Sequence, residues 1–477
     1  MKLTREMMMN LFATLGAPRL LLPALVLGAA AHAGCSAIVD FQECASDDGC
    51  PSGYRCASQV CVQSEVPVGS RVAVSGVIGK DTSWDADHVY EVSGMVFVDP
   101  DVTLVIAAGT RIEFKPGAGL VVDRGGHIEA VGTQLNPIVM TSARPSDSAP
   151  PATGPASSCS ATRATSWGND VSFPGLEASG RSHYGGDDPE SSCGTVEYLR
   201  IEFAGVSKDG DRELPAFALL GCGAGSDIDH VHVHRSLDLG VQLVGGTVSV
   251  EHILVTFAAE IGLEYTKGWT GSAQFVMIQA GHDGNVGING EEGNLAASEQ
   301  RGARGHIANF TVLADPAGSA QIGVQFQSGA RAEMYDGIVA GQGHHTVNVE
   351  SDDGDPLLDT AAQAEAGEIS IANTVFFRPS GAGEIFPPPS EETGAGDDDN
   401  GFDEDAFFSD ADSDNLFDVD PQLTYSSSAT SWVPGNSTLA SGAKSLVDPF
   451  EPGASYYGAF KPGVPPWTDG WTAMPAN

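Results

Sequence analysis

Five similar stretches decide the fold of this chain: Ile228-Asp-His-Val-His-Val, Val250-Glu-His-Ile-Leu-Val, Ala273-Gln-Phe-Val-Met-Ile, Ile307-Ala-Asn-Phe-Thr-Val and Ala332-Glu-Met-Tyr-Asp-Gly-Ile-Val. They begin 22, 23, 34 and 25 residues apart, with period-2 patterning and glycines between them. Helix-length apolar periodicity is missing, and a recurring strand unit of this length is typical of a solenoid. Because each coil leaves a backbone edge that only the next coil can satisfy, we expect stacked parallel strands. The pattern predicts an all-β, right-handed parallel β-helix, a single-stranded solenoid.

The composition of the chain agrees with this prediction and excludes one class of partner. Of 477 residues, 59 are glycine and only 18% are charged, which suits many tight corners and a thin apolar interior. Sixty-three acidic against 23 basic residues give a formal charge of −40. Such a surface repels phosphate backbones, so we expect no nucleic-acid partner.

Changes in composition divide the chain into five regions. We expect a signal peptide (1–34), a Cys-rich module and tether (35–65), the β-helix (66–385) with a loop insertion (144–192), an acidic Pro/Asp-rich loop (386–420), and a C-terminal β-helix end with an aromatic cap (421–477). The aromatic tail is expected to close the open end of the solenoid, since an open end exposes apolar core and backbone edges.

The N-terminal region has the composition of an export signal. Lys2, Arg5 and Arg19 precede an apolar run that is too short for a stable membrane anchor. Two cleavage sites remain open. Ala31-His32-Ala33 fits release into the periplasm or beyond, whereas Ala33-Gly34-Cys35 resembles a lipobox that would make Cys35 the lipidated first residue. We favour Cys35, and Ser36 after it implies, by resemblance to such lipoproteins, an outer-membrane address at the cell surface.

Eight cysteines in an exported chain favour an oxidising compartment. The group Cys44, Cys50, Cys56 and Cys61 lacks paired C-x2-C knuckles and a histidine partner, so we expect two disulfides rather than zinc, with the pairing left open. Cys159 and Cys193 flank the predicted insertion and are expected to close it. Cys222 is then expected to be a buried free thiol.

The acidic region contains part of a calcium-binding pattern. Asp410, Asp412 and Asp414 alternate as in an EF-hand loop, but Asn415 replaces the required glycine and Pro421 the bidentate glutamate. We therefore predict no regulated calcium site and no cofactor, with weak calcium binding as the open alternative.

Several segments resemble known proteins. Val96–Phe114 and His127–Ser142 are similar to the opening coils of pectin-lyase-like β-helix proteins, and Gly34–Val62 resembles the Cys-rich N-terminal segment of myxobacterial-type lipoproteins. A narrower resemblance is to a family of bacterial surface lipoproteins and secreted multidomain proteins with a β-helix and no assigned enzyme activity. It is carried by these segments: Ser182–Gly205, Asp238–Thr256, Lys267–Gly271, Tyr456–Phe460 and Trp467–Thr472. The resemblance implies a surface role and supplies no catalytic residue.

The sequence contains no convergent set of residues for lyase or hydrolase chemistry. A lyase of this type needs a cation beside calcium-holding acids. Arg235 with Asp238 is the best such pair, while Arg200 is expected to pair with Glu202. A hydrolase needs converging carboxylates. The candidates Glu251, Glu260 and Glu264 lie in neighbouring coils without forming a recognised cluster, so no catalytic residue is predicted.

The histidines suggest a metal site or a surface ladder. His230, His232 and His234 alternate and are expected to point to one half-solvated outer face. His252 follows His230 by 22 residues and should stack beside it in the next coil. Such imidazoles can bind zinc or copper, but like side chains also stack routinely in solenoids, and we favour the ladder without metal.

The leading functional hypothesis is a non-catalytic, lipid-anchored scaffold on the outer membrane that binds matrix, glycan or a partner cell. The alternative is a polysaccharide lyase or hydrolase that acts on acidic glycans. Fold alone does not separate them, because β-helices host both activities.

The first prediction concerns the N-terminus. Mass spectrometry of the mature protein should find a diacylglyceryl group on Cys35. A mature chain that begins with unmodified Gly34 would mean export without a lipid anchor.

Overall fold

The structure is a computed structural model. It describes residues 70–143, 156–160, 171–172, 176, 180–181, 183–206, 214–282, 284, 286–292, 302–315, 321–341, 345–350, 358–379, 385–389, 401–417, 419–425 and 432–473, with Tyr54–Ala57 and Val60–Gln63 before them. For 54–57, 60–63, 156–160 and 171–172 only the backbone is described.

Short strands dominate the described residues. They are β1 (Tyr54–Ala57), β2 (Val60–Gln63), β3 (Arg71–Ile78), β4 (Thr82–Trp84), β5 (Val89–Val98), β6 (Thr103–Ala107), β7 (Arg111–Phe114), β8 (Gly119–Val122), β9 (His127–Val131), β10 (Ile138–Ser142), β11 (Ala156–Ser160), β12 (Val171–Ser172), β13 (His183–Tyr184), β14 (Gly194–Glu202) and β15 (Phe217–Leu220). They continue with β16 (Asp227–His234), β17 (Val241–Val244), β18 (Val250–Thr256), β19 (Ile261–Thr266), β20 (Ser272–Gln279), β21 (Val286–Glu291), β22 (Arg304–Leu313), β23 (Ile322–Gln327), β24 (Arg331–Tyr335), β25 (Ile338–Ala340), β26 (His345–Val349), β27 (Ile369–Ala372), β28 (Val375–Phe377) and β29 (Leu416–Phe417). The helices are α1 (Thr360–Glu365), α2 (Glu404–Phe408) and the 3-10 turns Ala411–Ser413 and Ser437–Ala440.

Parallel pairing arranges the strands of the coils in three sheets, which confirms the parallel β-helix. Sheet A contains β4, β6 and β9, the first halves of β14, β16, β18, β20 and β22, and then β24 and β27. Sheet B contains the first halves of β3 and β5, then β7 and β10, the second halves of β14, β16, β18, β20 and β22, and β25, β28 and β29. Sheet C contains the second halves of β3 and β5, then β8, β11, β15, β17, β19, β21, β23 and β26.

The inward side chains of the three sheets form one continuous apolar core. In β16, for example, Val231 and Val233 are fully buried in this core, and Ile253 and Val255 occupy the equivalent positions of β18. The alternation of the sequence therefore predicts the inward residues of each half-strand correctly, because successive side chains of a strand point to opposite sides of its sheet.

The C-terminal coil is closed by the acidic region that was predicted to be a loop. Phe386, Phe402 and Phe408 belong to the buried core, with the Phe386 ring 5.3 Å from that of Phe376 on β28. Glu404 at the start of α2 is fully buried and accepts a hydrogen bond from the backbone N–H of Val349 in β26. The phenylalanines thus cover the core at this end, although the surrounding sequence is strongly acidic.

The aromatic C-terminal segment, expected to cap that end, lies along the outer side of sheet B. That side is apolar in the later coils, where it presents Leu254, Met277, Leu313 and Ile338. It is covered by a cluster of C-terminal side chains: Trp432, Leu439, Tyr457, Ala459 and Phe460. The expectation that this segment closes the open end of the solenoid is therefore corrected, because the segment covers an apolar outer side instead.

The disulfide prediction requires a correction. Cys193 is bonded to Cys222, with their Cα atoms 5.5 Å apart, so it does not pair with Cys159, and Cys222 is not a free thiol. Cys159 and Cys193 were expected to pair because they flank the predicted insertion 144–192. However, Cys159 lies in β11, and this strand belongs to sheet C as part of a coil. The side chain of Cys159 lies outside the described residues.

The chain divides into two units after Gln63. The described part of the first unit is the antiparallel hairpin β1–β2, in which Cys56 and Cys61 are opposite each other in register. The signal peptide, Cys35 and the predicted disulfides of Cys44 and Cys50 lie outside the described residues. Within the described residues, no helix combines the length and apolarity needed to cross a bilayer.

The close approach of coils at Gly271 provides a stability prediction. A Cβ atom at this position would overlap the carbonyl oxygen of Val248 in the preceding coil, so Gly271→Ala forces the two coils apart. We expect it to lower the free energy of unfolding by about 3 kcal/mol. Gly463→Ala is the control, since its φ of +78° imposes strain of only about 1 kcal/mol and no atom lies within 4 Å. Equal losses in a urea titration would contradict the predicted clash between coils.

Candidate functional site

A column of aromatic rings follows the bend between sheets A and B. Tyr198, His230, His252 and Phe275 occupy the same place in successive coils, each with a left-handed φ between 49° and 57°. The rings of His230 and His252 stack with centroids 4.3 Å apart. Tyr198 lies 4.2 Å beyond His230, and Phe275 lies 4.7 Å beyond His252. Ring stacking, worth about 0.5–1.5 kcal/mol per pair, helps to offset the strain of these conformations.

Asp229 joins the two stacked imidazoles. Its Oδ1 lies 2.8 Å from Nδ1 of His252, in a hydrogen bond, and its Oδ2 lies 2.8 Å from Nδ1 of His230. Burial raises the pKa of the Asp229 carboxyl, but the two imidazoles outweigh burial and hold that pKa well below its usual value. Among the described residues, these three form the one group of at least three potential metal ligands whose donor atoms all lie within 4.8 Å of one another.

The stacking of His252 on His230 was predicted correctly, but the common face of the three histidines was not. The left-handed bend at His230 interrupts the alternation, so only His232 and His234 lie on the outer side of sheet B. Both are fully buried and contact the Thr256 hydroxyl, at 3.0 Å and 2.8 Å. Burial lowers the pKa of His232 well below its usual value, so this ring is neutral. The expectation of a half-solvated histidine face is therefore wrong.

Two C-terminal tryptophans cover the histidine column. The ring of Trp467 lies 5.2 Å from that of His252, and the ring of Trp471 lies 5.6 Å from that of His230. Asp469, between the two tryptophans, accepts a hydrogen bond through its carbonyl oxygen from the side chain of Gln134 at 2.8 Å. No local pattern in the sequence indicates these contacts, since the partners are between 215 and 335 residues apart in the chain.

The outer side of sheet A beside the column is acidic. Glu197, Asp229 and Glu251 are partners in register in three successive coils. Burial and the charge of Asp229 raise the pKa of the Glu251 carboxyl, and burial and the neighbouring aspartates raise that of Glu197. Asp229 was not predicted from the sequence, although the adjacent Asp-His pair was a signal that could have found it.

The outer side of sheet C carries a row of polar side chains. Its central carboxyl, Glu264, accepts hydrogen bonds from Gln242 at 2.6 Å and Asn289 at 3.1 Å. Gln325 and Asn348 continue the same row in register in the later coils. Burial and the charge of Glu291 raise the pKa of Glu264 to about 7. A second row, more accessible, contains Glu291, Gln327 and Glu350.

The residues considered for lyase chemistry make contacts with neighbouring side chains and with the C-terminal segment. The Arg235 guanidinium lies over the Phe257 ring, 5.4 Å from its centroid, and burial lowers its pKa. Asp238 is fully buried near the same turn. Arg200 pairs with Glu202 at 2.7 Å, as expected. Its guanidinium also donates a hydrogen bond to the carbonyl oxygen of Trp471 in the C-terminal segment.

The three carboxylates considered for hydrolysis belong to different parts of the coil. Glu251 is on the outer side of sheet A, Glu260 precedes β19, and Glu264 is on the outer side of sheet C. Glu264 pairs in register with Gln242 and Asn289, and Glu291 lies diagonally from it, since Thr266, two residues on, pairs with Glu291 in the next coil.

The region considered for calcium forms a turn held by its own side chains. Asp410 caps the 3-10 turn by accepting a hydrogen bond from the backbone N–H of Asp412 at 2.8 Å. Asp414 adopts a left-handed conformation, and Asn415 accepts from the backbone N–H of Thr374 at 2.9 Å. Asn415, which replaces the EF-hand glycine, thus attaches this turn to the last coil.

Glu264 provides a prediction for the pH dependence of stability. Its folded pKa of about 7 exceeds the unfolded value of 4.5, so the folded state binds the proton more tightly. Its contribution to stability is fully present below pH 4.5 and is lost as the pH rises through 7, by roughly 3 kcal/mol in all. Glu264→Gln should remove this loss, and urea titrations at pH 5 and pH 8 measure it. Asp336, whose pKa burial also raises to about 7, contributes in the same direction in both proteins. Identical pH profiles for the wild type and the variant would contradict the assignment.

Comparison with known proteins identifies the family of the β-helix. No match to the chain was found among curated proteins or among solved structures. Residues 76–384, more than half of the 477, match the family described as "Pectate-lyase like beta helix domain". This match ends in the same region as the last complete coils, and it agrees with the three parallel sheets. The chain therefore belongs to the pectate-lyase-like β-helix family.

Proposed function

We propose that this protein is an exported, non-catalytic scaffold that binds a hydroxyl-rich glycan along the outer side of sheet C. The observation that carries the proposal is the pair of polar rows on this side. Glu291, Gln327 and Glu350 of the second row are partly exposed, whereas Glu264, Asn289, Gln325 and Asn348 of the first row are buried, so the second row is the one that a glycan would contact. Strands of neighbouring coils are about 4.8 Å apart, which spaces the hydrogen-bonding groups of this row regularly along the solenoid. Gln327 connects the rows, since its amide lies 3.3 Å from Asn289 and 3.4 Å from Glu291.

The other two sheets support the same choice of surface. The later coils of sheet B are covered by the C-terminal segment, including a hydrogen bond of 2.8 Å from Trp432 to Gln279. The outer side of sheet A presents the carboxylates of Glu197, Asp229 and Glu251. A chain with a formal charge of −40 also repels polyuronates, which favours an uncharged glycan.

The proposal includes export and attachment to the outer membrane through Cys35. Its support is the signal-like N-terminus together with the disulfide between Cys193 and Cys222, since structural disulfides persist in oxidising compartments. Surface display would place the polar rows in contact with extracellular glycans or a neighbouring cell.

The test is a glycan array probed with the full-length protein, followed by affinity measurements on each glycan that binds. Gln327→Ala should weaken binding about fivefold, because one net hydrogen bond contributes about 1 kcal/mol. Glu129→Ala on the exposed outer side of sheet A is the matched control and should leave the affinity unchanged. Equal effects of the two substitutions would exclude the sheet C surface.

An enzyme assay distinguishes the scaffold from a lyase. The protein should not cleave polygalacturonate or alginate with calcium present, because Arg235 is stacked on Phe257 rather than placed beside two acids. Lyase products absorb in the ultraviolet. A rise in absorbance that Arg235→Ala abolishes would replace the scaffold proposal with the lyase.

A glycoside hydrolase is the second candidate, and the raised pKa of Glu264 favours it. A carboxyl that remains protonated near neutral pH is suited to act as a general acid, and Glu291 is the nearest carboxylate on the same outer side. Release of reducing ends from a bound glycan, lost in Glu264→Gln, would establish this activity. Binding without such release supports the scaffold.

A further inference from the structure

We propose that Asp229, His230 and His252 form a binding site for a divalent first-row transition-metal ion. The site lies at the bend between sheets A and B, away from the polar rows of sheet C, and it is independent of glycan binding. Two imidazole nitrogens and one carboxylate oxygen are a ligand set that zinc, copper and nickel accept.

The donor atoms are already close together. The Nδ1 atoms of both histidines lie 2.8 Å from the Asp229 carboxylate oxygens, on different oxygens of the same group. The Nδ1 of His230 is buried and is not aligned for a hydrogen bond to its oxygen, unlike that of His252. An ion at 2.0–2.2 Å from each ligand needs these separations to widen by about 0.5 Å. Binding also requires the Nδ1 proton of His252 to be replaced, with the neutral ring then protonated on Nε2.

The aromatic column holds both imidazoles in place before an ion arrives. Tyr198 and Phe275 stack on the two outer faces of the pair, and Trp467 and Trp471 meet the rings at angles of 68° and 69°. The two imidazole planes are only 20° apart, so their Nδ1 lone pairs run nearly parallel, and each ring must tilt toward the other for both nitrogens to share one ion. The surrounding rings keep both imidazoles beside Asp229 but do not by themselves aim the two donors at a common point.

The charges around the site favour a cation. Glu197 and Glu251 are the register partners of Asp229 on either side, so three carboxyl groups lie in one row beside the two imidazoles. The Asp229 side chain is 32% exposed, against 13% and 20% for His230 and His252, so an ion approaches the buried Nδ1 of His230 from the side of this carboxylate. Three protein ligands leave at least one coordination position for water or an external donor.

The site can be tested by titrating the full-length protein with zinc chloride in a calorimeter. We expect one ion per chain at this site, with affinity at least tenfold weaker in His252→Phe and in His230→Phe. Phenylalanine keeps the ring stack, and Phe275 shows that the bend accepts it, with a φ of 57° in the next coil. Asp229→Asn leaves the column intact and should also weaken binding at least tenfold, which tests the site if a phenylalanine variant fails to fold.

The matched control is His88→Phe. His88 Nδ1 lies 2.6 Å from Asp85 in a pair of one imidazole and one carboxylate, and its loss should leave zinc affinity unchanged. Copper(II) bound to the wild type should show two nitrogen couplings in electron paramagnetic resonance, and one in each single histidine variant. Zinc affinity that is absent in the wild type, or that survives all three substitutions at the site, overturns the proposal.

Discussion

The hydrogen-bonded ladder between coils is the constraint on which the rest of this structure depends. Each half-strand must align with its equivalent in the next coil, so side chains at equivalent positions are brought within about 4.8 Å of one another whatever their chemistry. Favourable neighbours result where the side chains are rings, as in the column of His230 and His252. Where the equivalent side chains are acids, as in Glu197, Asp229 and Glu251, the ladder brings carboxyl groups together, and their repulsion opposes folding. The site chemistry of this protein is therefore a consequence of register.

The repeats and the alternation of the sequence were sufficient to predict the parallel β-helix and the inward residues of its coils. They were also sufficient to place His252 beside His230, since a 22-residue interval equals one coil. The prediction that His230, His232 and His234 share one face failed for a physical reason. Alternation holds only within one straight strand, and the left-handed residue at His230 turns the chain from sheet A to sheet B. A period-2 pattern does not indicate where such a bend lies, so Asp229 was assigned no role.

Contacts between distant parts of the chain account for the other differences. Local composition made the region around α2 look like a solvated loop, yet its few phenylalanines reach the core at the end of the solenoid. Spacing suggested a pair between Cys159 and Cys193, whereas the stacking of coils brings Cys193 to Cys222. The raised pKa of Glu264 likewise depends on burial and on Glu291 of the next coil, neither of which is visible in the residues around it. In each case the deciding partner is close in space and far in sequence.

The C-terminal cover of sheet B has a consequence for the order in which the protein can be completed. Leu254, Met277 and Ile338 present their side chains outward, and the residues that cover them, such as Trp432 and Phe460, are synthesised after them. A nascent chain therefore exposes an apolar stripe on sheet B until the later segment is synthesised and packs on it. During that interval, chaperones that bind exposed apolar surface have a binding site on this stripe. Premature termination of the chain would leave the stripe exposed permanently. A chain truncated before Trp432 would consequently be prone to aggregation as well as shortened.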